Sequence, residues 1–467
     1  MTACLSCGCL LYLSGLNSLS TTRGEFFVNL HGTSKIGDNH HLWIGGLDTV
    51  DLAKKYGTPL YLYDLSLIKN RARGFKKAFE ENGVGYQVAY ASKAFSSIAM
   101  FQLIEQEGLS LDVVSGGELY TALQAEFPPE RIHFHGNNKS LAELEFALTA
   151  GVGCIVVDNF HEISLLKMLS SKLNKKVDIL LRLTPGIEAH THDYIITGQE
   201  DSKFGFDLGN GQGDKALQEV LAFEGFRVLG IHCHIGSQIF ETEGFTLAIE
   251  KLFGHFKKWE ENYSYFPSVV NLGGGFGIQY TSEDTPLSPE QYVSAMIVEV
   301  KKQMIHFERQ DLPELWIEPG RSLVGDAGTT IYSIGSQKEI EGVRHYVSID
   351  GGMTDNIRPA LYQAKYEAFV ANKMNAEPTQ TVSIAGKCCE SGDMLIWDIA
   401  LPEVCEHDFL AVSCTGAYGY SMASNYNRIQ RPAVVFVENG EEQLVVKRET
   451  YEDLIKNDVP LKSNVFV

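Results

Sequence analysis

Cysteine is scarce in this chain: nine in 467 residues, an odd number. So few thiols exclude a disulfide-built scaffold and point to a reducing, cytoplasmic setting. Positive charge is also short, with 39 Lys and Arg against 59 Asp and Glu, a formal charge of −20. Nucleic-acid phosphates are held by clustered cations, so no nucleic-acid partner is expected. Any anionic ligand must be gripped by a local pocket working against the field of the whole chain. No stretch approaches the roughly 18 consecutive apolar residues of a membrane span, so no membrane partner is expected either. The first 22 residues carry no Lys or Arg, which removes the basic start of a secretory leader. What is present is ordinary globular composition, 44% hydrophobic and 21% charged, which excludes a disordered or fibrous chain.

The opening residues are odd in texture. Cys4, Cys7 and Cys9 stand in CLSCGC with no fourth ligand nearby, so a zinc site is not expected. Residues 1–27 are expected to be a weakly ordered extension or the product of an upstream start. Organised sequence begins near residue 28, and residues 28–64, ending in the strand-like PLYLYD of Pro59–Asp64, are assigned to a β domain completed much later in the chain.

Over residues 65–325 short β-rich runs alternate with helical periodicity. The spacing predicts eight strands: Tyr86–Ala91, Leu111–Val114, Ile132–His135, Cys154–Asp158, Val177–Leu183, Val228–His234, Val269–Leu272 and Leu315–Glu318. Helices are predicted between them, among them Ser97–Glu107, Leu141–Ala150, Glu162–Leu173, Glu243–Tyr263 and Pro289–His306. Eight such repeats define a (β/α)8 TIM-type barrel of the α/β class, with a doubly wound open sheet as the rival. Residues 326–467 change character. Strand-like runs such as Val343–Ile349, Thr381–Ala385, Met394–Ile399, Phe409–Ser413, Ala433–Val437 and Gln443–Val446 follow one another with few helical periods, which predicts a mostly antiparallel β domain.

Barrel chemistry sits where strands end. Lys93 follows the first strand, Asp112 lies in the second, and His135-Gly136-Asn137 close the third. Asp158 ends the fourth and Arg182 lies in the fifth. His232, His234 and Ser237 close the sixth, Gly273, Gly274 and Gly275 follow the seventh, and Glu318, Gly320 and Arg321 follow the eighth. A glycine turn after strand seven offers backbone N–H groups to a phosphate, with Ser237 and Arg321 as further contacts. It does not complete a dinucleotide fingerprint. A lysine desolvated at the barrel mouth can form a Schiff base. With an anion cradle and a carboxylate at Glu318 for a ring nitrogen, the set points to pyridoxal 5'-phosphate. The competing class is a metal-dependent hydrolase, because His232 and His234 share one strand face. That pair lies on strand six, and the similarly spaced His133/His135 and His190/His192 bring no obvious third ligand, so no metal is expected. In the C-terminal region Arg358 offers a fork for a carboxylate, and a cysteine beside Glu390 offers a proton donor.

YASKAF, HCHIGSQI, NLGGGFG, EPGRSLVGDAG, GGMTDNIRPALY, GKCCESGDML and GAYGYSMASNYN resemble the fold-type III, alanine-racemase-like, pyridoxal-phosphate-dependent decarboxylases, and within them the diaminopimelate-specific branch. The resemblance runs from about residue 28 to 450 in order. It implies cofactor attachment at Lys93, ring stacking on His234 and a ring-nitrogen carboxylate at Glu318. It places Asp112, Ser237, Gly273 to Gly275, Gly320, Arg321 and Tyr418 around the cofactor. It implies Cys389 as proton donor and Arg321, Arg358, Tyr362, Glu390 and Tyr418 around meso-diaminopimelate. The implied reaction removes the carboxylate at the D-centre to give L-lysine and CO2, the last step of lysine biosynthesis. The implied assembly is a homodimer whose sites are shared across the interface. Related decarboxylases acting on ornithine, arginine or a carboxylated polyamine are the alternative.

Overall fold

The computed structural model describes residues 29–187, 202–309 and 311–461. The expectations placed on residues 1–27, with Cys4, Cys7 and Cys9, and on His190 and His192 lie outside the described residues.

Runs such as CIVV have no polar face, as strands buried on both sides require. They fold as Tyr86–Ala91, Ser110–Val113, Ile132–Phe134, Cys154–Val157, Val177–Thr184, Phe226–His232, Val269–Asn271 and Glu314–Ile317. All eight pair in parallel with their neighbours in chain order. Ile155 opposite Ile179 joins the fourth strand to the fifth, and Leu315 opposite Tyr86 joins the eighth to the first. Every strand therefore has two neighbours, which closes the barrel and removes the open-sheet rival.

The polar residues after each strand mostly start the next helix. Ser97 caps Ile98–Gln106, Asn159 caps Phe160–Leu173, and Ser140 with Glu143 forms a reciprocal capping box on Leu141–Ala150. Ser115 caps a helix at Gly116–Gln124. There the sequence showed only a glycine-rich strand end. The buried Lys139 ammonium ties two neighbouring strand ends together. It meets Glu162 at 2.7 Å and donates to the carbonyls of Gly136 and Val156, each at 2.8 Å.

The second sheet is organised around Gly328–Ile340, a strand that the sequence reading did not anticipate. It runs antiparallel to Leu60–Asp64, to Phe409–Val412 and to Arg344–Ile349 along successive parts of its length. Leu60–Asp64 also pairs in parallel with Ala433–Glu438. The early PLYLYD segment thus lies inside the sheet made by the C-terminal part. Tyr332, Ile334, Val347, Val382, Ile384 and Leu410 form a separate core there. Among the described residues no helix is long and apolar enough to cross a membrane.

Candidate active site at the barrel mouth

The strand ends converge on a cavity of about 510 Å³, the usual size of a small-ligand pocket. Lys93, Asp112, His234, Ser237, Gly274, Gly275, Glu318, Gly320, Arg321, Arg358, Tyr362 and Tyr418 all line it. So do His135 and Arg182, which the sequence showed as strand-end residues without a role, and His232, which it offered only as half of a metal pair.

Glu318 directly follows the eighth strand and is 6% exposed. Its Oε1 accepts from Asn271 Nδ2 at 2.7 Å and lies 2.9 Å from His135 Nε2; its Oε2 lies 3.0 Å from His232 Nε2. Burial by itself would raise the pKa of this carboxyl, but the imidazoles of His135 and His232 outweigh burial and hold it well below the ordinary carboxylate range. The group is an anion. Asp112 shows the opposite balance. Burial, opposed by His135, pushes it up to about 6, and its Oδ1 is buried without a hydrogen-bond partner.

The metal reading returns here in altered form. The sequence paired His232 with His234, whereas the fold pairs His232 with His135 beside Glu318, their ligand atoms within 4.8 Å of one another. Their 2.9 and 3.0 Å N···O separations are shorter than the roughly 3.3–3.6 Å that two ligands keep around one tetrahedral zinc.

His234 takes a different part. Burial first, then the Lys93 and Arg182 cations, drive its pKa well below 6.5. The neutral ring accepts from the Gly274 N–H through Nδ1 at 3.3 Å. This revises the expected role of the glycine turn. A Cβ on Gly273 would fall 2.5 Å from the Cys233 carbonyl oxygen, one on Gly274 2.1 Å from that of Glu318, and one on Gly275 2.3 Å from that of Gly236. Glycine is needed first because neighbouring strand ends pass so close. Gly273 does not line the cavity; its N–H is given to Asn271 Oδ1 at 2.9 Å.

Two guanidiniums form one wall. Arg321, 8% exposed, donates to Ser237 Oγ from Nη2 at 3.0 Å and from Nη1 to the Tyr280 hydroxyl. Arg358, 5% exposed, donates to Tyr280 at 2.9 Å and to Tyr366 at 2.7 Å. Tyr280 thus bridges two cations, a link that no single stretch of sequence announces. The Arg321 guanidinium also lies 4.9 Å from the centre of the Tyr418 ring, and Tyr418 is held in the left-handed region at φ 61°, a conformation costly for a bulky residue and concentrated at functional sites. Among the described residues neither guanidinium has a carboxylate within 4.0 Å. Buried cations without anions leave a wall prepared for anionic ligands.

Three expected residues behave differently. Lys93 sits in the short turn Ser92–Ala94 and is exposed, not desolvated as the sequence reading supposed, because this turn lies on the rim. Cys389 and Glu390 lie outside the cavity, and both are exposed. The Cys389 backbone N–H donates to Asn427 Oδ1 at 2.7 Å. The neighbouring Cys388 thiol is pushed up to about 11 by burial and by Asp393.

Deeper in the barrel, His133 stacks on Trp316 with ring centres 4.5 Å apart and shares a 3.0 Å hydrogen bond with Gln87. Burial drives its pKa down to about 3. Its unfolded value is near 6.5, so its contribution to stability is complete above that pH and is lost as pH falls toward the folded value. Between pH 7 and pH 5 this one residue is expected to cost about 2 kcal/mol. Urea midpoints of the wild-type chain and His133→Gln at both pH values check it; equal pH dependence in the two chains would count against the assignment.

The set fits pyridoxal 5'-phosphate on structural grounds. The amine, the flat neutral imidazole, the buried anionic carboxylate and the anion-ready wall face one cavity, and Asp112 Oδ1 still lacks a donor. Comparisons with known proteins agree. The sequence profile of the pyridoxal-binding domain of pyridoxal-dependent decarboxylases matches residues 65–325. A diaminopimelate decarboxylase of Bacillus subtilis is 66% identical over 93% of this chain and 99% of its own length. One from Staphylococcus aureus is 45% identical over 91% and 99%. A diaminopimelate decarboxylase structure from M. jannaschii with L-lysine superposes with a TM-score of 0.85 at 37% identity, covering 92% of this chain and 98% of that one.

Proposed function

Because this chain belongs to the diaminopimelate decarboxylases, a branch of the pyridoxal-dependent decarboxylases, we propose that it removes the D-centre carboxylate of meso-2,6-diaminopimelate as CO2 and yields L-lysine. The observation that carries the substrate is the pair of buried guanidiniums without carboxylate partners, Arg321 and Arg358. A substrate with a second carboxylate satisfies them; ornithine, which ends in an ammonium, does not. CO2 release from meso-diaminopimelate, ornithine and arginine measured in parallel tests the reading, and faster release from ornithine would overturn it.

Pyridoxal 5'-phosphate, when bound, accepts the electron pair that a departing carboxylate leaves behind. Lys93 would hold its aldehyde carbon, His234 would lie against its ring and Glu318 would face its ring nitrogen. Ser237, Gly274, Gly275, Gly320, Arg321 and Tyr418 would surround its phosphate, and Asp112 would take a further polar group. Arg358 and Tyr362 would hold the distal carboxylate, with Arg321 and Tyr418 bordering substrate and phosphate together. The guanidinium wall would also set the orientation of the scissile bond. The barrel at 65–325 and the β domain formed by 28–64 with 326–467 are the working parts of this reading, and the cytoplasm is its setting.

The proton returned to the α-carbon comes from Cys389 Sγ, and Glu390 binds the distal amino group. Both are exposed and outside the cavity of their own chain, so a second copy supplies them in a homodimer. Cys389 rather than Cys388 is the donor, since the Cys388 backbone and thiol face Asp393 of their own loop. Cys389→Ala is expected to lower kcat by about 10²-fold or more, with Cys388→Ala close to wild type. Lys93→Ala and Cys389→Ala chains, each nearly inactive, are expected to recover about a quarter of wild-type activity when dissociated and mixed equally. Half the dimers are then mixed, each with one intact site. No recovery after demonstrated exchange would rule out a shared site.

A further inference from the structure

Glu318 is met from three other strand ends. A carboxylate has about four acceptor directions. Asn271 donates to Oε1 and His232 pairs with Oε2 by hydrogen bonds, while His135 Nε2 lies 2.9 Å from Oε1 as an ion-pair contact. One direction on Oε2 remains, on a residue that lines the cavity. His232 Nδ1 is buried without a partner, so the ring has no acceptor for a second proton and presents its single N–H from Nε2 to the carboxylate. The two imidazoles stand edge to face, with ring centres 4.9 Å apart and planes at 75°. The two rings pack against one another. Asn271 is fixed as well, because its Oδ1 accepts the Gly273 N–H at 2.9 Å.

We infer that His135, His232 and Asn271 are positioning residues for the reaction: together they lock Glu318 in one orientation with a single acceptor direction left for the ring nitrogen of the cofactor. The inference rests on the proposed cofactor reading and extends it to residues that do not themselves touch the reacting atoms. A carboxylate with two open oxygens could rotate about its last bond or take a proton itself. With two hydrogen-bond donors and the close His135 imidazole in place it can do neither cheaply, so the ring nitrogen keeps its proton through the reaction. Asp112, His133, His234, Arg182 and Lys93, with the Cys154 and Cys233 thiols, are the other titratable groups whose charges reach this cluster.

The test uses apoprotein reconstituted with pyridoxal 5'-phosphate. His232→Met fills the space without a donor; His232→Gln restores an N–H near the position of Nε2. His135→Met and His135→Gln form a second pair. Each Met variant is expected to lower kcat about 30-fold with KM changed less than about threefold, and to weaken cofactor binding about tenfold. Its bound cofactor is expected to absorb at shorter wavelength as the ring nitrogen loses its proton. Each Gln variant is expected to return within about fivefold of wild type in kcat and to restore the absorption. Met variants with wild-type absorption and kcat would overturn the clamp. Equal losses in Met and Gln, tracking a fall in melting temperature, would also overturn it and leave a purely structural role. Wild-type chain that takes up no cofactor, seen as no absorption band and no mass gain after borohydride, would instead overturn the reading on which the clamp rests.

Discussion

Lys93→Ala is expected to lower CO2 release from meso-diaminopimelate by about 10³-fold or more, while leaving the fold intact. The side chain is exposed on a short turn after the first barrel strand, so its removal opens no core cavity and little stability is lost. Its amine is the one nucleophile expected to hold the cofactor's aldehyde carbon, and loss of a covalent attachment point costs far more than loss of a hydrogen bond. The effect should separate from binding. His234, Ser237, Glu318 and Arg321 remain in the cavity of the variant, so cofactor is still taken up, more weakly and reversibly. Borohydride reduction followed by peptide mapping gives the decisive readout. The tag should fall on the peptide containing Lys93 in wild type and be absent in the variant. A tag elsewhere on active wild-type protein would remove the basis of the site.

The second large effect is expected at Arg358. Arg358→Met keeps most of the side-chain volume and removes the fork. The Tyr366 hydroxyl loses its donor, the Tyr280 hydroxyl keeps only Arg321, and the wall loses one of its two buried guanidiniums. A bidentate contact between guanidinium and carboxylate contributes about 3–4 kcal/mol, so kcat/KM for meso-diaminopimelate is expected to fall roughly 10²- to 10³-fold. Activity toward ornithine should change much less, because that substrate has no distal carboxylate to lose. Tyr280→Phe is the graded control. It keeps both cations but unties them, and a loss of about tenfold is expected. Parallel kinetics on the two substrates distinguish these outcomes, and an equal loss on both would assign Arg358 to general cavity structure.

The barrel was readable because its strands are buried on both faces and its helices start on polar caps. Runs such as CIVV have no other use in a chain of this composition, and Ser140 with Glu143 marks a helix start at single-residue resolution. Gly328–Ile340 escaped because its surroundings change along its length. Gly328 to Tyr332 are buried, whereas Ser336 to Ile340 are exposed. Three partners share it in turn, so no single alternation of polar and apolar residues runs through it. The same contrast holds in the site. Lys93, Glu318 and Arg321 carry their chemistry in one side chain at a strand end, and sequence is enough to find them. The donors around Glu318 are a property of barrel closure, since His232 and Asn271 are 86 and 47 residues away. Nothing local in their sequence states that they meet. The glycine turn shows a partial success. The need for glycine was legible, but the cause lay in neighbouring carbonyls and not only in a bound anion.

The seat of Leu60–Asp64 has a consequence for how the protein is made. Tyr61 lies opposite Thr330 on one side and Val434 on the other. A ribosome adds about 5–20 residues per second, so this early strand waits on the order of half a minute for its last neighbour. All eight barrel strands emerge in that interval. The nascent chain therefore carries an unpaired apolar ribbon through most of translation, and stopping synthesis just before Ala433 would leave that ribbon with a bare edge in an otherwise nearly finished molecule.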